Sequence, residues 1–124
     1  MLFSLFPIGY NDMGEIAIGN KLWIEKNGQF FLGKGRVELL KAIDSFGSIN
    51  AAAKSMQMSY KKAWQTIDDM NSLADEPLVI RITGGSGGGG TSVTEAGKDA
   101  IALYERVNGN CHSFLENELK NEQP

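Results

Sequence analysis

The sequence predicts a mainly α-helical domain that also contains two small β-hairpins, an α+β arrangement. Three observations predict it: an Asn-Gly pair between two apolar runs, a series of apolar stripes with helical spacing, and two strand-like runs joined by a glycine-rich loop. The chain has 124 residues, of which 42% are hydrophobic and 22% charged. This is enough for one domain with its own core.

The first elements are a hairpin and a helix. Residues 21–32 are predicted to form the hairpin, because Asn27 and Gly28 separate two apolar-rich runs. From residue 36 to residue 46 apolar side chains recur every third position, which predicts a first helix. Gly47 follows it and can adopt the left-handed conformation that ends a helix.

Two further helices follow closely. Ser48 is expected to cap a short second helix, and Ser59 a third helix that runs to about residue 73. Only a tight turn around Gln57 and Met58 fits between them. Trp64 lies beside the apolar stripe of the third helix, so we expect it to pack rather than to stack on a ligand.

The last elements are a second hairpin and a long helix. Residues 78–82 and 91–93 resemble strands, and the segment 84–90 between them is almost entirely glycine. A final helical pattern opens at Glu95 and extends for about 25 residues, since its apolar positions recur at three- and four-residue steps. Gly109 in its middle costs about 1 kcal/mol relative to alanine.

This order of elements is that of a winged helix-turn-helix. We expect three regions: residues 1–20, whose order the pattern does not define; a winged helix-turn-helix domain with an N-terminal hairpin over 21–94; and a C-terminal dimerisation helix and tail over 95–124. The long helix extends beyond the core that could cover its apolar stripe. A second copy of the chain would cover the rest of the stripe, which favours a homodimer. The predicted interface residues are Ile101, Tyr104, Val107, Cys111, Phe114 and Leu115.

The basic residues are concentrated in one segment. The formal net charge is −3, yet residues 33–64 contain six basic and two acidic side chains, half of all the bases in the chain. Lys61 and Lys62 begin the third helix, whereas its acids come later, which is the reverse of what the helix dipole favours. A polyanion at the helix N-terminus would explain this order.

The third helix, about residues 59–74, is therefore the predicted recognition helix for duplex DNA. Its candidate groove contacts are Tyr60, Lys61, Lys62, Gln65 and Thr66. Two polar residues near helix N-termini, Asn50 and Ser59, are expected to position phosphates. The wing over residues 84–90 is expected to approach the DNA backbone, with contacts from Arg81, Ser86 and Thr91.

Several runs of residues resemble one family. The segments Gly47-Ser48-Ile49-Asn50-Ala51-Ala52-Ala53 and Met58-Ser59-Tyr60-Lys61-Lys62-Ala63-Trp64, with the glycine-rich run, resemble the N-terminal DNA-binding domain of ModE-type, molybdate-dependent regulators. The helix-turn-helix portion and the segment Thr94-Glu95-Ala96-Gly97 are shared in pattern with LysR-type regulators. The resemblance covers roughly residues 33–110 and implies a dimeric bacterial transcriptional regulator.

Two features depart from that family. Ser86 stands in a glycine run where family wings often have a base. The sequence ends at Pro124, where molybdate-binding domains would follow. We therefore expect that molybdate sensing does not transfer to this chain.

No pattern of catalytic or metal-binding residues is found. His112 is the only histidine, and Cys111 and Glu116 near it do not supply the partners that a metal site or a catalytic triad requires. The glycine run fits a G-x-G-x-x-G pattern but is followed by a strand rather than a helix, so dinucleotide binding is not expected. We expect no enzyme activity, no metal and no cofactor.

The cysteine count and the N-terminal stretch indicate where in the cell the protein is located. A single cysteine cannot form an intrachain disulfide, which suits a reducing compartment. The apolar stretch of residues 1–8 is short and has no basic residue before it, so we expect neither a signal peptide nor a membrane span. The predicted protein is a cytoplasmic homodimer that binds duplex DNA with sequence specificity and regulates transcription.

The sequence leaves two alternatives open. The first is a winged-helix module that has lost DNA binding and assembles with another protein, suggested by the acidic total charge and the lysine-free wing. The second is a small oxyanion-binding protein that uses the glycine run.

Overall fold

The computed structural model describes residues 15–82 and 90–122. The elements are β1 (Ile24–Lys26), β2 (Gln29–Leu32), α1 (Lys34–Phe46), α2 (Ile49–Ser55), α3 (Tyr60–Leu73), β3 (Val79–Ile82), β4 (Gly90–Val93) and α4 (Glu95–Glu122). This is the predicted fold class: a mainly helical chain with two antiparallel hairpins, in the order of a winged helix-turn-helix. None of the described helices is both long and apolar enough to cross a membrane.

The chain divides into two compact units. One is residues 22–108, which contains β1 to β4, α1 to α3 and the first half of α4. The other contains the described residues 15–21 and 109–122. Helix α4 is 28 residues long and continues through Gly109, three residues longer than the predicted 25.

The first hairpin forms around the predicted turn. Asn27 and Gly28 both have positive φ, 54° and 75°, as the two central residues of a type I′ turn require. Lys26 pairs with Gln29 across this turn, and the register shifts between Ile24 and Glu25. The strands are shorter than the predicted hairpin, because pairing begins only at Ile24.

The helix-turn-helix is delimited by the residues that the sequence indicated. Gly47 ends α1 in the left-handed conformation, with φ of 67°. Ser48 caps α2 by accepting a hydrogen bond from the backbone N–H of Ala51 at 3.1 Å, and Ser59 caps α3 by accepting one from Lys62 at 3.0 Å. Gln57, with φ of 55°, forms the turn between the two helices.

The core of the 22–108 unit is built from the apolar stripes of its helices and the inner face of the second hairpin. Its largest fully buried side chains come from β2, α1 and α3: Leu32, Leu39, Leu40, Ile43, Ile67 and Met70. Val79 and Val93, which pair across β3 and β4, close the core on the wing side.

Arg36 joins three elements of this unit. Its Nη1 donates hydrogen bonds to the carbonyl oxygens of Phe30 and Phe31 at 3.0 and 3.1 Å. Its Nη2 lies 3.6 Å from Oδ2 of Asp69 on α3, and its guanidinium lies 4.8 Å from the centre of the Phe30 ring. The side chain is only 18% exposed, so this base belongs to the fold rather than to a binding surface.

Two polar side chains fix the start of β3. Asn71 accepts a hydrogen bond from the backbone N–H of Leu78 at 2.8 Å and donates one to the carbonyl of Val79 at 3.0 Å. Thr94 donates to the carbonyl of Pro77 at 2.6 Å and accepts from the N–H of Gly97 at 3.0 Å, which also caps α4. The second hairpin is thus attached to both α3 and α4.

Gly97 allows a close approach between α4 and the segment before β3. A Cβ atom there would lie 2.6 Å from Val93 Cγ1 and closer still to the carbonyl oxygen of Leu78. The neighbour is backbone that the Thr94 contacts hold in place, so it cannot move aside cheaply. This explains the glycine in the segment Thr94-Glu95-Ala96-Gly97.

Gly97→Ala is therefore expected to lower the free energy of unfolding by about 1 to 3 kcal/mol, because the added methyl group overpacks this contact. Gly109→Ala is the matched control, since no atom lies within 4 Å of its Cβ position in the same helix. That change is expected to raise stability by about 0.5 to 1 kcal/mol through helix propensity. Urea unfolding followed by circular dichroism measures both, and stabilisation by both substitutions would contradict the close contact.

Candidate nucleic-acid interface

The N-terminus of α3 is exposed and positively charged. Tyr60 is 48% exposed, and Lys61 and Lys62 are exposed beside it. Within residues 15–82 and 90–122, neither lysine has an acidic side chain within 4.0 Å. The first backbone N–H groups of a helix have no partner within the helix, and at this end Ser59 accepts only that of Lys62. The N–H groups of Tyr60 and Lys61 can therefore meet an anion, together with the two uncompensated lysine charges.

The basic segment contains fewer available charges than its sequence suggests. Arg36 is bonded to the first hairpin and paired with Asp69. Lys41 Nζ lies 2.6 Å from Oε2 of Glu105 on α4. The hydrogen bond to Glu105 and its negative charge raise the pKa of Lys41 above its ordinary value of 10.5. In the described part of the chain, four bases of this segment remain without an acidic partner: Lys34, Lys54, Lys61 and Lys62.

Two of the acids at the other end of α3 have partners inside the fold. Asp69 is paired with Arg36, and Asp75, just after the helix, accepts a hydrogen bond from Lys26 Nζ at 2.9 Å. These pairs compensate two of the four acids at the unfavourable end of the helix dipole, whereas Asp68 and Glu76 have no basic side chain within 4.0 Å among the described residues. The reversed charge order of α3 is thus partly compensated inside the fold at its C-terminus, while neither lysine at its N-terminus is paired.

Two aromatic side chains of α3 and an arginine of β3 connect this helix to the wing. The rings of Tyr60 and Trp64, one helical turn apart, meet edge-to-face with centroids 6.3 Å apart and planes at 74°. The guanidinium of Arg81 on β3 lies 4.2 Å from the centre of the Trp64 ring. Trp64 packs against the core, as expected, and it also supports Arg81. No pattern in the sequence indicates this second role, because the contact joins residues from two distant elements.

The other predicted DNA contacts occupy different environments. Asn50 and Gln65 are exposed, Ser59 is exposed while it caps α3, and Thr66 donates its hydroxyl to the carbonyl of Lys62 at 2.8 Å. Thr91 is only 7% exposed, and its Oγ1 has no hydrogen-bond partner among the described residues. Its backbone N–H donates to the carbonyl of Gly47 at 3.1 Å, so it faces the fold.

Ser86 and residues 84–89 of the predicted wing lie outside the described residues. The wing is therefore described only by its two strands, which pair in register from Val79–Val93 to Ile82–Gly90.

The residues predicted for a dimer interface divide into two groups. Tyr104 is 5% exposed and donates its hydroxyl to the carbonyl of Leu22 at 3.1 Å, so its side chain is used within its own unit. Ile101 is partly buried against the same core. Further along α4, Phe114 is 62% exposed, and three neighbours on the helix are half-buried: Val107, Cys111 and Leu115.

The described residues contain no group of three or more His, Cys, Asp or Glu side chains placed to hold a metal ion. His112 Nε2 lies 3.2 Å from Oε2 of Glu116, a single pair one turn apart on α4.

Comparison with known proteins identifies the family. The model of the bacterial regulatory helix-turn-helix proteins of the lysR family matches residues 35–98, which covers α1 to β4 and more than half of the chain. The chain belongs to this family. It is a family of transcriptional regulators and not of enzymes.

The resemblance to ModE-type regulators is also confirmed. The chain is 48% identical over 85 residues to the molybdenum transport protein ModE of Azotobacter vinelandii, which covers 68% of this chain and 32% of that protein. It is 46% identical over 77 residues to the DNA-binding transcriptional dual regulator ModE of Escherichia coli K12, covering 62% of this chain and 29% of the relative. The chain thus spans about a third of the length of these relatives.

Among solved structures, the chain is similar to a MarR family transcriptional regulator from Silicibacter pomeroyi. The TM-score is 0.46 and the identity 20%, with 75% of this chain and 74% of the other covered. This likeness is weak, and the fold assignment rests instead on the order of the elements and on the family match.

The Arg81–Trp64 contact is expected to contribute a coupling free energy of about 0.5 to 1 kcal/mol, the range for cation–π pairs at partly exposed sites. A double-mutant cycle of Trp64→Leu and Arg81→Gln, followed by urea unfolding, measures it. Pairing Trp64→Leu with Lys98→Gln on α4 is the control and should give additive effects. Additivity in the Arg81 cycle as well would show that the guanidinium is not held by the ring.

Proposed function

We propose that this regulator binds duplex DNA with sequence specificity as a homodimer, with the N-terminal end of α3 in the major groove. The observation that carries the proposal is the pair Lys61 and Lys62, exposed and without acidic partners at the uncompensated end of α3. The similarity to the Escherichia coli relative, a DNA-binding transcriptional dual regulator, supports the same assignment.

The geometry of the helix-turn-helix supports a division of roles. In this class of domain the N-terminal residues of the second helix contact base edges, while phosphate contacts fix the register. Tyr60, Lys61, Lys62 and Gln65 occupy the first turns of α3 and would read or line the groove. Asn50, in the first turn of α2, would contact a phosphate of the adjacent backbone.

Arg81 is the proposed wing contact. It is exposed at the outer half of β3, and the Trp64 ring holds its guanidinium beside α3. A guanidinium held in this way loses less side-chain freedom on meeting a phosphate. Thr91 would act indirectly, by anchoring β4 to the turn after α1 through its backbone N–H.

The proposed dimer interface lies along α4. Its exposed Phe114 and half-buried Val107, Cys111 and Leu115 form an apolar stripe that a second copy of the helix would cover. Two recognition helices would then address a pseudo-palindrome whose half-sites are about one helical turn, or a small multiple of it, apart. The proposed location is the cytoplasm, where such a dimer meets DNA.

Replacing Lys61 and Lys62 together with alanine is expected to remove most salt-dependent DNA binding. If each subunit neutralises about three phosphates, the wild-type dimer gives a log–log salt slope of about −5, and the double variant a slope shallower by about 2 to 4. Fluorescence anisotropy of a mixed-sequence duplex at several salt concentrations measures this.

The matched control is Lys98→Ala with Lys120→Ala, which removes the same charge from α4. This variant should keep nearly the wild-type slope. An equal loss in both double variants would reduce the interaction to general charge attraction, and no binding by the wild type at low salt would refute DNA binding.

Lys61→Ala alone distinguishes base reading from phosphate contact. If Lys61 reads a base, the substitution should cost about 1 to 3 kcal/mol on a selected operator and little on unrelated duplexes. Competition titrations against the two kinds of duplex provide the comparison. A loss of the same size on every sequence would assign Lys61 to the phosphate backbone.

Phe114→Glu is expected to convert the dimer to a monomer, because the carboxylate would be buried in the apolar stripe of the interface. Asn117→Glu adds the same charge at an exposed position of the same helix and should leave the dimer intact. Sedimentation velocity at micromolar concentration reads the state of each variant. A wild-type monomer, or a dimer that survives Phe114→Glu, would contradict an interface on this stripe.

A further inference from the structure

An open groove of about 450 Å³ lies in the 22–108 unit, where the first hairpin, the end of α3 and the first turns of α4 meet. Its floor is apolar. Leu32, Leu78 and Ala100 are almost completely buried beneath it, whereas Leu103 on α4 remains 39% exposed. The volume is within the range of sites that take a small molecule or a short side-chain anchor.

The rim of this groove is strongly acidic. Asp75 and Glu76 follow α3, and Glu95 and Asp99 lie one turn apart at the start of α4. The one base that lines the groove is Lys26, which is already bonded to Asp75 at 2.9 Å. In the described ranges, Glu76, Glu95 and Asp99 have no basic side chain within 4.0 Å.

The fold does not require all of these charges. Glu95 lies in the first turn of α4, where the helix dipole favours an acid. Asp99 is four residues later on the same face, and two like charges at this spacing repel each other. The groove thus combines an apolar floor with carboxylates that the rest of the described chain leaves without counter-charges.

We propose that this groove docks a short basic segment of a partner protein. One apolar side chain of the segment packs between Leu78 and Leu103, and flanking Lys or Arg side chains pair with Glu76, Glu95 and Asp99. Charge complementarity selects this occupant. The same groove on a second copy would bring like charges together, and residues 1–14 of this chain contain no Lys or Arg.

The groove is separated from the proposed DNA-binding end of α3. It borders Ala74, just after the helix, whereas Lys61 and Lys62 lie in the first turn. The 14 residues of α3 span about 21 Å at 1.5 Å per residue. A partner segment in the groove therefore leaves the recognition end free, and the docking does not depend on the proposed DNA binding.

The test is a ¹⁵N–¹H NMR titration of the full chain with the synthetic peptide Lys-Lys-Leu-Lys-Lys. Saturable shifts are expected at the backbone amides of Leu78, Asp99 and Leu103. The peptides Lys-Lys-Ser-Lys-Lys and Glu-Glu-Leu-Glu-Glu, which remove the apolar anchor and reverse the charge, are expected to bind at least about tenfold more weakly.

The double variant Glu95→Gln, Asp99→Asn is expected to weaken the leucine peptide about tenfold, since it removes two of the three uncompensated charges. Asp44→Asn with Glu118→Gln removes the same charge from exposed positions on α1 and α4 and should have no effect. Glu76→Gln, outside any helix, provides a second variant should the changes in α4 impair folding.

Four results would overturn the proposal. They are the absence of saturable shifts, equal binding of the serine peptide, equal weakening by the Asp44 and Glu118 control, and a change in sedimentation of the Glu95 and Asp99 variant. The last would identify the groove as a contact between copies of this chain. DNA binding is measured by anisotropy on the same variants. This measurement distinguishes a failure of peptide docking in the groove from a failure of the proposed DNA binding.

Discussion

The Arg36 guanidinium attaches the first hairpin to α1 and also contacts α3. A two-stranded hairpin is marginal by itself, so β1 and β2 need an attachment to remain folded. Arg36 provides it from the first turn of α1, through two carbonyl oxygens and the face of the Phe30 ring. The same side chain lies 3.6 Å from Asp69 in the C-terminal half of α3, and Leu32 at the end of the hairpin is completely buried.

This arrangement gives the two ends of α3 different roles. The end that is paired with Arg36 and followed by the Lys26–Asp75 contact is held by the fold. The other end has a serine cap and two lysines that nothing within the described residues neutralises. The chain as a whole has a formal net charge of −3, so the two exposed lysines form a local positive site on an acidic protein.

Local features of the sequence predicted most of the fold. These local features depend on the conformations of one to four neighbouring residues. They are the turn at Asn27 and Gly28, the left-handed residue Gly47 that ends α1, and the N-caps Ser48 and Ser59. Those conformations follow from the residue types themselves. The apolar periodicity then fixed which faces of α1 and α3 are buried.

The features that the sequence did not predict all join distant parts of the chain. A count of basic residues cannot distinguish Arg36 and Lys41, which are paired with residues 33 and 64 positions away, from the unpaired Lys61 and Lys62. Tyr104 fits a helical stripe in the sequence, but its hydroxyl bonds to Leu22, 82 residues away. Thr91 was predicted as a contact at the base of the wing, but it is buried. Its burial depends on the turn after α1, where Gly47 accepts its backbone N–H.

The root of the wing is attached to the helix-turn-helix on two sides. On β4, the N–H of Thr91 bonds to the carbonyl of Gly47, and a Cβ on Gly90 would lie 2.9 Å from the same oxygen. On β3, Arg81 lies against Trp64 of α3. The wing root thus takes its position from the turn between α1 and α2 and from α3 together. Gly90 therefore allows the close backbone contact, whereas Gly47 supplies the left-handed turn conformation, with φ of 67°. The strands β3 and β4 thus share their attachments with the turn after α1 and with α3.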